Sequence, residues 1–502
     1  MSSGSEVESY LRALQSLGVV APHPWSIRSF APQGAAALLP RTSDHPWADR
    51  FGAAGDSAGG AALRAGLDLH TFYNTGFPTT QRSQVRWIGR GATAAAVPTL
   101  AVRHGAFSIV LAPSVAFAEN RSFALAPNGY EGDAAYGARW FPEFIDLPQR
   151  FGEDRSLSIE PGNSSVAVDL AGASLGFSTA AQHWGPAEQS PIVLSGDAPG
   201  FPHVFLGSTR PVDIRVGALH ARAIWGRLEQ TRYSMVPADS ARRLAAGYAL
   251  AFQPAFLTGL EIGVNRFFHF PWTPGSFPWR SAAEPFQTFW ARSLYEDADE
   301  SVSLAENQLA SVFARWVFAP AGFEVFGEYG REDHSWDLRD FLLEPDNQRA
   351  YVLGFHKVWT SGPTRVVRLR GEVANAQASP VKQIRTQAPF YLHSTQRQGH
   401  THRGRLLGSE TILGGAGSVV GVDWFARAGS YTVEWTRLAN DHGLRVLPVE
   451  MDVSHGLGLR ATRFGAGRDY RLGMVATRNY NRNHAGDAFN LHLSAAVLLR
   501  FR

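Results

Sequence analysis

Cysteine is absent from the 502 residues, methionine occurs four times, and no long apolar run is present. The lack of cysteine excludes disulfides, zinc–thiolate sites and cysteine nucleophiles. A transmembrane helix needs about 20 predominantly apolar residues, and no segment approaches this length. The formal net charge is only +3, with few lysines and dispersed arginines, so the stripe of basic residues typical of nucleic-acid binding is also missing.

Alternation of apolar and polar residues takes the place of long apolar runs. In residues 489–502 the odd positions are apolar and most even positions are polar, as on a strand with one dry and one wet face. A soluble strand is usually about 5–6 residues long, whereas a tilted membrane-spanning strand needs roughly 9–11. The same alternation recurs at residues 259–265, 367–373, 431–436, 457–462 and 472–477.

These strands predict an all-β fold, namely a large antiparallel transmembrane β-barrel. Charged residues such as Arg368, Arg370 and Glu372 must face water, and their apolar neighbours must face lipid. A closed barrel meets both conditions and leaves no unpaired backbone edge in the membrane. The polar faces predict either an arginine-lined lumen or Arg–Glu pairs between neighbouring strands.

The start of the chain is helical in character. Residues 5–18 predict a short amphipathic helix with Ser5 and Glu8 at capping-box spacing, and residues 29–39 predict a second one. We therefore expect residues 1–60 to form a periplasmic helical plug or cap, and residues 61–502 to form the outer-membrane barrel. No signal peptide is visible in this sequence. Because an outer-membrane barrel has to be exported, we expect its export signal to lie outside the given sequence.

The first half of the barrel is predicted from local strand and loop signals. We expect long loops near residues 120–163 and 266–303, on the extracellular side as in other such barrels, although the first could fold inward as a constriction. Strands are predicted at residues 63–75, 85–95, 99–105, 107–119, 165–170 and 173–180.

Two turn motifs in residues 178–208 carry a family resemblance. The motif residues are Trp184, Gly185 and Pro186, followed by Ala198, Pro199, Gly200, Phe201 and Pro202. Together with residues 145–152, 222–229, 254–266 and 307–310, they resemble the capsule-assembly outer-membrane lectins of the Wzi family. The resemblance implies an eighteen-stranded barrel, a helical bundle on its periplasmic side, and a role in holding capsular polysaccharide at the cell surface.

Aromatic residues and arginines concentrate in residues 265–292. This concentration makes the stretch our main candidate for ligand binding. An aromatic ring can stack on the apolar face of a sugar, and a guanidinium can hold a carboxylate by two hydrogen bonds. We therefore predict an acidic polysaccharide as the ligand. The alternative is an aromatic girdle that anchors the barrel among lipid headgroups. The predicted binding residues are Arg266, Phe268, Phe270, Trp272, Trp279, Arg280 and Trp290.

Signals for catalysis are weak. Histidine and aspartate lie close together at residues 333–334, 441–442 and 452–455, without a nucleophile elbow, a metal-ligand spacing or a phosphate loop. We predict no catalytic residues, metal or cofactor. The expected partners are capsular or exopolysaccharide and outer-membrane lipid or lipopolysaccharide, bound by a monomer. The alternative function is a porin-like diffusion channel for small anions or sugars.

Overall fold

The computed structural model describes residues 4–28, 38–40, 42–51, 62–79, 85, 87–272, 277–286, 306–333, 337–362, 364–379, 387–440 and 451–501. Within these residues the dominant feature is one closed antiparallel barrel. Its first and last strands pair from Ala65 opposite Phe501 to Asn74 opposite His492. This closure confirms the predicted all-β barrel.

The described part of the wall contains eighteen strands, two of them interrupted. Their bounds are β1 Ala62–Asn74, β2 Gly91–His104, β3 Phe107–Leu111 with Ser114–Ala118, β4 Ser156–Glu160 with Ser165–Leu170, β5 Ala173–Ser178, β6 His203–Ser208, β7 Gly217–Glu229, β8 Arg242–Pro254, β9 Leu260–Pro271, β10 Asn307–Phe318, β11 Phe323–Glu332, β12 Arg349–Thr360, β13 Arg365–Asn375, β14 Ala416–Ala426, β15 Gly429–Asn440, β16 Asp452–Phe464, β17 Arg468–Arg482 and β18 Gly486–Phe501. A two-residue strand, Val212–Asp213, adds to β7. Two small hairpins lie outside this sheet and pair His183–Trp184 with Leu194–Ser195 and Thr401–His402 with Arg405–Leu406.

The described helices are short. They are α1 Glu6–Ser16, α2 Ala48–Phe51, α3 Trp279–Ala283 and α4 Leu338–Leu343, with single 3₁₀ turns at Gly132–Tyr136, Ala238–Ser240, Glu284–Phe286, Ala319–Ala321 and Glu410–Ile412. Ser5 caps α1 by accepting a hydrogen bond from the Glu8 backbone N–H, which confirms the first predicted helix. Residues 29–37, most of the second, lie outside the described residues. None of the helices that the structure describes is long and apolar enough to cross a membrane.

The last strand shows the predicted division into two faces. Phe489 and Phe501 are more than half exposed on the outer face, while Asn490 and His492 are fully buried on the inner face. Alternation with a period of two is local, so it survives any choice of neighbouring strand. The inward-facing polar residues of the wall therefore lie in the lumen, as predicted.

Three predicted strand boundaries are wrong. Residues 87–90 are not a strand, because the chain there folds against Asn74, whose side-chain amide donates to the carbonyl oxygens of Ile88 and Gly89. The strand starts at Gly91 and continues through Pro98 to His104, instead of ending at residue 95 with a new strand starting at residue 99.

The missing strand boundary at Pro98 has a structural cause. Residues 97–99 lie opposite the interruption in β3, between the pairs Ala96–Val115 and Leu100–Leu111. A proline without an N–H is tolerated where the neighbouring strand offers no regular ladder. The predicted single strand at residues 107–119 is split in the same place.

Both predicted long loops start or end differently from expectation. The loop predicted at residues 120–163 ends earlier, because Ser156–Glu160 joins the wall by pairing with Ser114–Ala118. It also folds inward, since Ile145 and Asp146 are buried and Asp146 accepts hydrogen bonds from Thr231. The loop predicted from residue 266 begins only after Pro271, where β9 ends, and residues 287–305 lie outside the described part.

The two ends of the barrel are distinguished by their connections. We call the end with the connections 119–155, 230–241, 272–306 and 376–415 the loop end. The end with the short turns 105–106, 171–172, 319–322 and 427–428 is the turn end. Leu17, just after α1, lies next to Gly322, which places the N-terminal helix in the lumen at the turn end.

Candidate functional site

The N-terminal helix α1 is held inside the lumen by buried ion pairs. Arg12 donates to Glu324 of β11 from Nε at 2.9 Å, and Glu324 also accepts from Arg315 of β10 at 2.7 Å. Arg315 pairs in turn with Glu261 of β9 at 3.1 Å. All four side chains are at most 1% exposed. Pairing offsets the large cost of burying charge, so helix and wall depend on each other.

The network continues into the segment that carries the first turn motif. Glu188 lies 3.4 Å from Arg12 and 2.9 Å from Arg368 of β13. Arg368 also pairs with Asp423 of the next strand at 2.8 Å, which realises the predicted cross-strand pairing. The carboxylate of Glu372 accepts hydrogen bonds from three successive backbone N–H groups, those of residues 188, 189 and 190. Such an anion-binding loop ties the segment to the wall.

Trp184, the aromatic residue of the first motif, is fully buried in the lumen. Its ring packs against Phe267 of the wall at a centroid distance of 6.2 Å, and its backbone bridges to Ile27 of the N-terminal segment. Gly185 has a positive φ of 96° and lies so close to Glu328 that a Cβ would overlap the carboxylate. Arg28 donates to the Pro186 carbonyl oxygen at 2.9 Å. The motif therefore joins the N-terminal segment to the wall.

The second motif makes a close crossing of two backbone segments. Phe201 is 1% exposed and contributes to the same apolar core as Trp184. A Cβ on Gly200 would overlap the backbone of Thr179 and Ala181. Ala198, Pro199 and Gly200 also line the lumen cavity described below. Pro202 leads into β6, so this motif returns the chain from the lumen to the wall.

Replacing Gly200 by alanine is expected to destabilise the barrel by about 1–3 kcal/mol, the range for overpacking a tight site. The added methyl group meets backbone atoms, which cannot swing away as a side chain would. The measurement is the urea unfolding midpoint of the refolded protein. Gly458→Ala is the matched control, because its nearest neighbour would lie at an ordinary 3.6 Å. Equal midpoints for the two variants would contradict the close crossing.

Three of the predicted binding residues lie on the outer wall beneath a covering segment. Arg266, Phe268 and Phe270 alternate with Phe267 and His269, which face the lumen. All three outward side chains are at most 3% exposed. Trp272 and residues 277–286 fold over them, with Trp272, Phe277 and Ala282 packed on the aromatic pair.

The covering segment also accepts a hydrogen bond from the outward-facing guanidinium of Arg266. Arg266 donates to the Gln308 side-chain oxygen at 2.6 and 2.8 Å and to the Pro285 carbonyl oxygen at 3.1 Å. Trp225 donates to the Ala282 carbonyl oxygen at 2.8 Å. A lipid-facing arginine is costly except near the membrane surface, and this cover removes it from lipid.

The remaining predicted binding residues differ in accessibility. Trp279 on α3 is 78% exposed, and Trp272 is half-buried against Phe277 at 5.5 Å. Arg280 lies on the same helix, but its side chain is not among the described groups. Trp290 lies outside the described residues. Trp279 is therefore the predicted residue most open to a ligand or to lipid.

A large cavity of about 2680 Å³ occupies the side of the lumen that the inward segments leave open. Its walls come mainly from strands at the two chain ends and include Arg64, Arg222, Arg460, Arg471 and Arg500. At the loop end it is lined by Phe77, Arg139, Trp140, Arg482 and Asn483, a group that we call the cavity mouth. Trp140 and the two arginines are not among the binding residues predicted from the sequence, although each arginine lies near an aromatic residue in the chain.

Two guanidinium groups of the cavity mouth lie on aromatic rings. Arg139 lies 4.2 Å from the centre of the Trp140 ring, and Arg482 lies 4.4 Å from that of Phe77. Arg139 also donates to the buried carboxylate of Asp452 at 3.0 Å. Burial lowers the pKa of Arg139 from its ordinary value despite that pairing.

Within the described residues, no group of three or more histidine, aspartate or glutamate side chains could hold a metal ion. Of the three His–Asp sites noted in the sequence, residues 334 and 441–442 lie outside the described part. At the third, Asp452 is bound to Arg139 at the cavity mouth, while His455 lies beside Trp435 at 5.8 Å. Asp452 therefore belongs to the ion pair of the cavity mouth.

A closed barrel with an apolar outer face, a buried helix in its lumen and a cavity rich in arginine defines a membrane-spanning β-barrel with an occupied lumen. The chain belongs to the capsule assembly protein Wzi family, whose model matches residues 99–476. This match confirms the resemblance read from the two turn motifs. Among curated proteins, no sequence matches this chain.

This fold is shared with a solved structure. Wzi of Escherichia coli, an outer-membrane protein involved in group 1 capsule assembly and described as a carbohydrate-binding β-barrel, is similar with a TM-score of 0.67 at 14% identity, covering 100% of this chain and 99% of that one. OccAB2 of Acinetobacter baumannii has a TM-score of 0.43 at 10% identity, covering 88% of this chain and 98% of its own. A BenF-like porin of Pseudomonas fluorescens has a TM-score of 0.43 at 9% identity, covering 88% and 99%.

Proposed function

We propose that this protein is an outer-membrane lectin that holds capsular polysaccharide at the cell surface and catalyses no reaction. The observation that carries the proposal is membership of the capsule assembly family across residues 99–476. Escherichia coli Wzi, which has a similar fold, is described as a carbohydrate-binding β-barrel, and we propose the same kind of binding for this chain. The outward apolar residues supply a surface for lipid, which supports an outer-membrane location with the loop end outside.

The finer features of the proposal concern partners. We propose an acidic glycan, because the lumen and its mouth present many arginines, and lipopolysaccharide or other outer-membrane lipid around the wall. We also propose that residues 1–60 act as a periplasmic plug, supported by the buried contacts of α1. A monomer is proposed because the strand edges at β1 and β18 pair with each other, which leaves no open edge for a second copy.

Our proposed glycan-binding surface consists of the residues predicted from the sequence, which have different roles. They are Arg266, Phe268, Phe270, Trp272, Trp279, Arg280 and Trp290. The exposed ring of Trp279 and the half-buried ring of Trp272 offer stacking contact. The covered residues Arg266, Phe268 and Phe270 hold in place the part of the chain that carries these two tryptophans. The alternative for the same rings is insertion among lipid headgroups.

The double variant Trp272→Ala/Trp279→Ala is expected to weaken binding of the detergent-purified protein to the source bacterium's surface polysaccharide by about tenfold or more. Stacking of a nucleic-acid base on an aromatic ring contributes roughly 1–3 kcal/mol, and we expect a contribution of the same order from a stacked sugar. Trp424→Ala, an outward-facing tryptophan of β14 that is 46% exposed, is the matched control, and neutral dextran is the control ligand.

Unchanged glycan affinity of the folded double variant would remove these residues from the binding site. If that variant instead inserts poorly into lipid vesicles, the headgroup role gains support. If the wild-type barrel binds no surface polysaccharide, the lectin proposal is wrong.

A diffusion channel is the second candidate, since the lumen cavity is lined by residues of both barrel ends, such as Arg500 and Arg482. Planar-bilayer recording separates the two. Sustained open-channel steps from the intact protein would favour the channel, whereas a closed barrel that binds glycan would favour the lectin.

A further inference from the structure

The first guanidinium group of the cavity mouth is only partly engaged by the residues that the structure describes. Arg139 is 11% exposed and directs Nη1 at Asp452 and at the side-chain oxygen of Asn483. Its Nε and Nη2 atoms are buried and have no hydrogen-bond partner among the described residues. These two atoms are closed off from the cavity, so Arg139 acts on a ligand there through its charge and through the part of its side chain that lines the cavity.

The second guanidinium of the mouth lacks a close counter-ion. No carboxylate of the described residues lies within 4.0 Å of Arg482, and the electrostatic influences on it come from Asp452 and Glu410 at longer range. Asp452 is already engaged by Arg139 and by the Asn483 backbone N–H at 2.8 Å. One buried carboxylate therefore lies between two guanidinium groups, with Glu410 farther away.

The backbone of the mouth holds these groups in place. In the hairpin between β17 and β18, Asn481, Asn483 and His484 have positive φ values of 54°, 61° and 52°. Asparagine adopts this conformation more readily than most residues. The hairpin brings Asn483 to Arg139 and the His484 ring to within 5.4 Å of the Trp140 ring. Arg139 and Trp140 come from the loop 119–155, far from this hairpin in the sequence. The cavity mouth is therefore assembled from distant parts of the chain.

We propose that the cavity mouth binds the carboxylate of an acidic sugar unit, with Arg139 and Arg482 as the two cationic contacts and Trp140 and Phe77 as the ring surfaces beside them. The proposal rests on the proposed polysaccharide-binding function and names its charge-reading site. A planar guanidinium matches a carboxylate by paired hydrogen bonds, which are stronger than neutral ones. A neutral sugar would leave the surplus positive charge of the cavity mouth without a charged acceptor.

The test compares two forms of one glycan. The probe is the surface polysaccharide of the source bacterium, used native and after chemical reduction of its carboxyl groups to alcohols. For the folded wild-type protein, reduction is expected to weaken binding about tenfold or more, the effect of losing a charge-assisted hydrogen bond. Arg482→Gln is expected to weaken binding of the native glycan by a similar factor and to leave binding of the reduced glycan unchanged.

The choice of variants separates binding from folding. Replacing Arg482 leaves no carboxylate of the described residues without its ion-pair partner. Replacing Arg139 would leave the buried Asp452 unpaired. Arg478→Gln is the matched control, because Arg478 belongs to the same strand but pairs with Asp487 on the outer side, with both side chains about half exposed. Arg482→Lys is expected to restore part of the affinity. Heat-modified mobility and circular dichroism report whether each barrel is folded.

Each outcome decides one question. Equal affinity of the wild type for native and reduced glycan, or equal loss in Arg482→Gln and Arg478→Gln, would overturn the site while leaving the lectin function in place. Absence of any binding to the native glycan by the folded wild type would overturn both.

Discussion

Replacing Glu324 by glutamine is expected to destabilise the folded barrel by about 3–5 kcal/mol, the usual cost of breaking a buried ion pair from one side. Glu324 is fully buried between Arg12 of α1 and Arg315 of β10. Glutamine keeps the shape but removes the charge, so two buried guanidinium groups would share the carboxylate of Glu261 and the partial contact of Glu188. The N-terminal helix should then leave the lumen more easily.

Two measurements check this expectation. The urea unfolding midpoint should fall, and trypsin should cleave after Arg12 or Arg28, which are at most 2% exposed in the folded protein. Asp49→Asn is the matched control, since Asp49 pairs with Arg427 at the surface with both side chains about 70% exposed. Such a pair contributes less than about 1 kcal/mol. Equal midpoints and equal protection of Arg12 would show that the ion pairs do not hold the helix.

Trp184→Ala is expected to cost about 3–5 kcal/mol, as for other large-to-small changes of a buried aromatic residue. The side chain fills the lumen between Phe267 of the wall and the N-terminal segment at Ile27. Its loss would leave a void that the closed wall cannot collapse to fill. We expect the variant that still folds to bind polysaccharide normally, because the ring is fully buried and is not among the residues that line the cavity.

Trp279→Ala supplies the opposite control, because the Trp279 ring is 78% exposed. Its unfolding midpoint should match that of the wild type, while its glycan or lipid contact changes. A Trp184→Ala variant of wild-type stability, or one that is stable but loses glycan binding, would contradict the structural role of the first turn motif.

Local patterns predicted much of this fold correctly. The capped helix at Glu6–Ser16 and the two-faced strand at Gly486–Phe501 follow from spacings of a few residues. Predictions failed where a neighbour decided the outcome, as at Pro98, which stays within a strand because the adjacent strand is interrupted there.

The residues of the proposed ligand surface were harder to place. Arg266, Phe268 and Phe270 were predicted as loop residues, but they belong to the end of β9 and lie beneath Trp272 and residues 277–286. Their composition alone does not distinguish a covered outer wall from an open loop. The cavity mouth was missed because Arg139 meets Asp452 across 313 residues of sequence, and no local signal marks such a pair.

By itself, the sequence determined that this protein is a two-faced antiparallel barrel with a helical start, because alternation and capping act between residues close in the chain. The tertiary structure alone decided what fills the lumen and which arginines meet at the cavity mouth. Barrel closure brings Arg12 to Glu324 and Arg482 to Phe77. Such contacts depend on the register of every strand between the partners, and that register is a property of the closed sheet as a whole.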